Sequence, residues 1–103
     1  MKTPIECNSL DELRDHIDAI DHEILQLLSD RFEYVKEVVK YKKPDKESII
    51  AKERKDAVIK RRRELALEYG LDPDTIEKVY RTLIDYFIEE ELRMIKSQNG
   101  ENH

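Results

Sequence analysis

Arg31 and Lys42 are of the types that hold an anion, and both fall where an apolar side chain is expected. With successive residues turned by about 100°, the first helical segment carries an apolar stripe of Leu13, Ile17, Ile20, Ile24, Leu27, Leu28, Val35, Val38 and Val39. Arg31 and Lys42 lie inside that arc, and Arg14 lies at its edge. A later segment repeats the exception with opposite sign. Ile76, Tyr80, Leu83, Ile84, Phe87, Ile88 and Ile95 form its stripe, and Glu91 lies within it. A lone buried ion costs roughly several kcal/mol unless it is paired. Ions on core-facing positions therefore predict a polar pocket inside a helical core.

Two explanations of these charges are open. Arg31, Lys42 and Glu91 can satisfy one another as an internal ion-pair network, with Lys42 extending its stem to water from a helix end. Alternatively, Arg14, Arg31 and Lys42 converge as three cations against Glu91, with Glu53 adding a second carboxylate. The positive surplus would then be neutralised by a small dicarboxylate, for which arginine's planar fork supplies two parallel hydrogen bonds. No Ser-His-Asp set, Gly-rich phosphate loop or activated cysteine is legible. His16, His22 and His103 form no ligand pattern and Cys7 has no metal-ligand partner at useful spacing, so no metal is expected. An enzyme with these groups must work by holding and polarising its substrate. That suffices for a unimolecular pericyclic reaction, which needs a folded conformer and stabilisation of the charge that separates as a C–O bond breaks.

Helices must position these residues. Ser9 with Glu12 reads as a capping box, and no Gly or Pro follows until Pro44. The first helix is thus predicted from Ser9 to about Lys42, roughly 50 Å at ~1.5 Å per residue. A compact domain of this size has a radius of gyration of only ~13 Å, so such a helix overhangs a monomeric fold. Its seam of Leu10, Leu13, Ile17, Ile20, Ile24, Leu27 and Arg31 is close to a heptad and wants a second long helix, which a homodimer supplies. Lys43 to Ser48 form a polar linker, readable as a plain connection or as a flap beside Lys42. The second helix is expected from about Ile50 to Tyr69, stopped by Gly70, with a thin apolar face of Val58, Leu65 and Ala66. Asp72 caps the third helix and Pro73 opens it. This helix is expected to reach about Lys96, with Gln98 to His103 fraying. There is no strand pattern and no repeat. The expected architecture is all-α, with a long, a short and a medium helix in one domain over residues 1–103.

Composition agrees. The chain has 103 residues, of which 42% are charged and 39% hydrophobic, with 2 Gly and 3 Pro, the balance of a helix-rich protein with charged outer faces. A net charge of −5 argues against a general nucleic-acid binder. The basic run Lys60 to Arg63 reads as a solvated helix face. Cys7 is the only cysteine, which excludes an intrachain disulfide. Met1 to Leu10 contain no apolar run of the signal-peptide or membrane-span kind, so no membrane partner and a cytoplasmic location are expected.

Taken together, the residues resemble the all-helical chorismate mutase family, and within it most the isochorismate-pyruvate lyase branch of salicylate biosynthesis. The stretches that carry the resemblance are Lys2-Thr3-Pro4, Cys7, Leu10, Leu13-Arg14, Ile17-Asp18, Ile20-Asp21, Gln26, Arg31, Tyr34-Val35-Lys36, Lys42, Glu53-Arg54, Gly70-Leu71-Asp72, Ile88 and Glu90. The resemblance implies an intertwined homodimer with two equivalent sites and no cofactor. It implies that Arg14 reaches into the partner's site to bind a carboxylate, that Arg31 binds a carboxylate in its own subunit, and that Lys42 lies near the ether oxygen and a carboxylate. Glu91 matches a Gln or Glu that hydrogen-bonds the ether oxygen, and Glu53 matches a position that binds the substrate hydroxyl. Lys52 stands where many mutases carry Arg, keeping the charge without the fork. Glu91 stands where the lyases carry Gln, and a Glu must be protonated to donate to an ether oxygen. Conversion of chorismate to prephenate is favoured, because the mutase clamp tolerates Glu at position 91. The alternative is isochorismate to salicylate and pyruvate, which the closer overall resemblance supports. A reading of another class is a non-catalytic helical dimerisation module whose buried charges pair internally.

Overall fold

The computed structural model describes residues 2–42 and 51–101, with side chains through Lys96. The flap reading of Lys43 to Ser48, and the expected helix start at Ile50, lie outside the described residues. A 3-10 turn, Pro4–Glu6, leads into α1, Leu10–Val38. A second 3-10 turn, Val39–Tyr41, follows it; α2 is Lys52–Glu68 and α3 is Pro73–Glu101. The fold is all-α, with three helices and no strand among the described residues.

Local chemistry sets most of the boundaries. At the start of α1, the Glu12 backbone N–H donates to Ser9 Oγ at 3.1 Å and that of Leu13 to the Ser9 carbonyl at 3.2 Å. The Glu12 carboxylate reaches back to the Asn8 N–H at 3.0 Å, one residue earlier than in the expected box. The helix stops a turn short of the predicted Lys42. Its end tightens into the 3-10 turn, where the Lys42 N–H donates to the Val39 carbonyl at 3.2 Å, and Lys42 itself is extended, at φ −98 and ψ 148. The 3-10 turn satisfies otherwise orphaned terminal carbonyls.

Ala51, with φ 42 in the left-handed region, breaks the chain just before α2. The other end of α2 closes in a Schellman motif: Leu71 N–H donates to the Ala66 carbonyl at 2.8 Å and Gly70 N–H to the Leu67 carbonyl at 3.2 Å. Gly70 takes the required positive φ of 71. Asp72 then caps α3, its Oδ2 accepting from the Thr75 N–H at 3.0 Å and from the Thr75 hydroxyl at 2.6 Å. The α3 backbone stays helical to Glu101, past the expected fray at Gln98. The segment lacks proline, and one glycine costs only about 1 kcal/mol in a helix.

The chain divides into two compact units, Met1–Tyr34 and Val35–His103. The second holds the end of α1, the turn after it, α2 and α3. Its core is Val39, Val58, Ile59, Ala66 and Phe87, each under a tenth exposed. Leu65, expected in this core, is half-buried and Ile59 takes the place, because the face of α2 that packs is set by the turn of α3 against it. Between the two helices Lys55 pairs with Asp85 at 2.9 Å, and Arg63 pairs with both Asp74 and Glu77 at 2.9 Å. The Arg62 guanidinium lies 5.4 Å from the Tyr80 ring centre. The basic run is thus partly a clamp on α3 rather than the purely solvated face expected of it.

Among the described residues, α1 has none that is buried. Leu10, Ile17, Ile20, Ile24 and Leu27 are between 46% and 66% exposed. These five positions of the seam read from the sequence stand exposed among the described residues, while Leu13 and Arg31 are half-buried.

Candidate active site

The charge that broke the α3 stripe is the buried one. Glu91 is 5% exposed, the sole buried charged residue among the described residues. Its Oε2 accepts from Lys42 Nζ at 3.2 Å, across 49 residues of chain. The 3-10 turn after α1 delivers Lys42 to this point, and α3 delivers Glu91 on the same face as the buried Phe87, four residues earlier. The Lys42 side chain remains 23% exposed. The pair therefore has a buried carboxylate end and a partly exposed lysine end, whose ammonium has three donors and no acceptor. Chemically, such an end takes an anionic oxygen or stabilises one as it develops.

Arg31 is half-buried on α1, and Arg14 is exposed on the same helix. Among the charges singled out from the sequence, Glu91 is buried, Lys42 and Arg31 are half-buried and Arg14 is exposed. The two arginines stand 17 residues apart on one uninterrupted helix, which places them about 25 Å apart along the axis and about 100° apart around it. They cannot close on one small dianion from a single chain. Lys52 and Glu53 stand exposed on the first turn of α2 and do not share the burial of the Lys42–Glu91 pair.

One grouping was missed from the sequence. The ligand atoms of Cys7, Glu12 and His16 lie within 4.8 Å of one another, against the expectation that Cys7 has no partner. The spacing of Glu12 and His16, four residues apart on one helix face, was the available signal. The return of Cys7 over that face depends on the 3-10 turn before it. Among the described residues, no helix is long and apolar enough to cross a membrane.

Comparison with known proteins gives a consistent result. The sequence model of the family described as chorismate mutase type II matches residues 13–92. An isochorismate pyruvate lyase of Pseudomonas aeruginosa is 35% identical over 100 residues, covering 97% of this chain and 98% of that protein. A T-protein of Haemophilus influenzae is 40% identical over 73 residues, covering 71% of this chain and 19% of that protein. A T-protein of Enterobacter agglomerans is 39% identical over 75 residues, covering 73% and 20% respectively. The chain thus spans about a fifth of the T-proteins' length and nearly all of the lyase's.

Proposed function

Because this chain belongs to the chorismate mutase type II family, we propose that it is an enzyme catalysing a pericyclic reaction of chorismate or isochorismate without a cofactor, with chorismate to prephenate as its first activity. The observation that carries this reading is the buried Glu91 bonded to the partly exposed Lys42 at 3.2 Å. As the substrate's C–O bond breaks, its ether oxygen gains negative charge. Lys42 stabilises that charge, and Glu91, when protonated, donates a hydrogen bond to the same oxygen. Arg31 binds one carboxylate within the subunit, and Arg14 of the other subunit binds the second. Glu53 takes the substrate hydroxyl, and Lys52 adds positive charge at the entrance.

The single domain works as a homodimer in the cytoplasm. Two observations support the dimer: the exposed apolar positions of α1, with Ile17 at 55% and Leu27 at 66% exposure, and the separation of Arg14 from Arg31 on one helix. A second reading, isochorismate pyruvate lyase activity, is supported by the end-to-end similarity to the Pseudomonas aeruginosa protein of that name. Both reactions use the same clamp. The test is to incubate the purified protein with each substrate and separate the products. Prephenate from chorismate supports the first reading, and salicylate with pyruvate from isochorismate the second. No product from either substrate would overturn both and leave a helical dimerisation module.

A further inference from the structure

The leader before α1 is a built segment. Thr3 and Glu6 bond one another, hydroxyl to Oε1 at 2.7 Å and backbone N–H to Oε1 at 3.3 Å. The Cys7 N–H donates to the Pro4 carbonyl at 3.3 Å. Lys2 Nζ lies 2.6 Å from Glu12 Oε1, and Asn8 N–H lies 3.0 Å from Glu12 Oε2. These contacts fold the leader back on the first turns of α1. Cys7 is brought over the face that carries Glu12 and His16, and all three residues are half-buried.

We propose that Cys7 Sγ, a Glu12 carboxylate oxygen and a His16 ring nitrogen form a binding site for a borderline divalent metal ion of the zinc type. The three ligand atoms lie within 4.8 Å of one another. In a tetrahedral zinc site, with bonds of ~2.0–2.3 Å, ligand atoms sit about 3.5 Å apart. Side-chain rotation closes that gap without moving the backbone. A thiolate, an imidazole and a carboxylate make a mixed S, N, O set that suits Zn2+ and disfavours the hard cations Mg2+ and Ca2+. Three protein ligands leave the fourth position to water. Binding releases the thiol proton of Cys7, now hydrogen-bonded at 3.7 Å to the Thr3 carbonyl, and draws Glu12 Oε1 from Lys2 onto the metal.

The consequence is structural. Cys7 belongs to the leader and the other two ligands to α1, so the metal staples the one to the other. Arg14 rises from the same turn about 160° around the helix from Glu12. The staple stiffens the turn that carries Arg14 without occupying its face.

Cobalt serves as the visible probe for zinc. The reduced, full chain should bind one Co2+ per subunit at micromolar concentration, with a thiolate-to-cobalt charge-transfer band in the near ultraviolet that an equivalent of Zn2+ abolishes. Cys7→Ser should remove the band. His16→Ala should weaken Co2+ binding at least tenfold, and His22→Ala should leave it unchanged. Zn2+ should slow alkylation of Cys7 at least tenfold. Far-ultraviolet circular dichroism of each variant, matched to the parent, separates ligand loss from unfolding. Absence of the charge-transfer band in the parent, or full-affinity binding by a folded His16→Ala protein, would overturn the site.

Discussion

At the scale of single residues, the informative contact is Lys42 with Glu91. A carboxylate held at 5% exposure depends on its donor, because a buried acceptor left without its charged partner incurs a desolvation penalty. Lys42→Ala should therefore lose about 1.5–3 kcal/mol of stability in urea unfolding. It should also lower kcat more than it raises KM, since its charge matters most as the ether bond breaks. An unchanged kcat would contradict that role. Glu91→Gln keeps an acceptor for Lys42 and a donor for the ether oxygen, so the variant should stay active, whereas Glu91→Ala should lose activity. A folded Glu91→Ala protein with parental kcat would remove Glu91 from the chemistry and leave it a structural partner of Lys42. Arg31→Ala should abolish activity with the fold intact; if the ligand-free variant unfolds instead, the internal ion-pair network is the better account of Arg31.

The elements stand on their ends and on the clamp between α2 and α3. At Gly70 an added Cβ would meet nothing within 4 Å, so Gly70→Ala costs only the left-handed backbone, about 1–2 kcal/mol. Gly70→Asn should cost less, and equal unfolding midpoints for parent and Ala variant would contradict the Schellman reading. Acid should loosen the same hairpin. The hydrogen bond from Arg81, with a further one from Arg63, holds the Glu77 carboxyl below its ordinary value. The Thr75 hydroxyl and backbone N–H hold Asp72 below its own. The folded state then takes up protons less readily than the unfolded one. Its stabilisation is fully present above the ordinary carboxylate range of about 4–4.5 and is lost as pH falls through the lowered folded-state values. Tm should drop over that interval, and Glu77→Gln should flatten the drop.

For the whole molecule, the question is what covers α1. Five large apolar residues of the α1 seam, Leu10, Ile17, Ile20, Ile24 and Leu27, are about half exposed or more. Their burial, at about 25 cal/mol per Å2, is a strong drive toward a second copy. Sedimentation at micromolar concentration should give a dimer, and a stable, active monomer would sink the argument. Subunit mixing tests the shared site. Arg14→Ala and Arg31→Ala homodimers should each be nearly inactive. In their heterodimer one site carries both lesions and the other neither, so about half of parental activity should return per dimer. No recovery after verified exchange would mean that the two arginines do not meet across an interface.

The start of α1, the end of α2 and the start of α3 were legible because their causes lie within a few residues. Ser9 caps α1, Gly70 ends α2, and Asp72 with Pro73 opens α3, each by bonds spanning no more than five positions. Periodicity likewise marked which face of α3 is apolar and singled out Glu91 as its exception. A stripe names a face, however, and not what lies against it. That Lys42 meets Glu91 across 49 residues, that Ile59 rather than Leu65 joins the core, and that Arg63 reaches α3 follow from the rotation of one helix against another, which no local signal encodes. The return of Cys7 toward Glu12 and His16 depends on a 3-10 turn too short to leave a period. The sequence by itself therefore determined three helices and the residues out of place on them. The tertiary structure decided which of those residues meet, because burial and pairing belong to packed surfaces that distant segments make together.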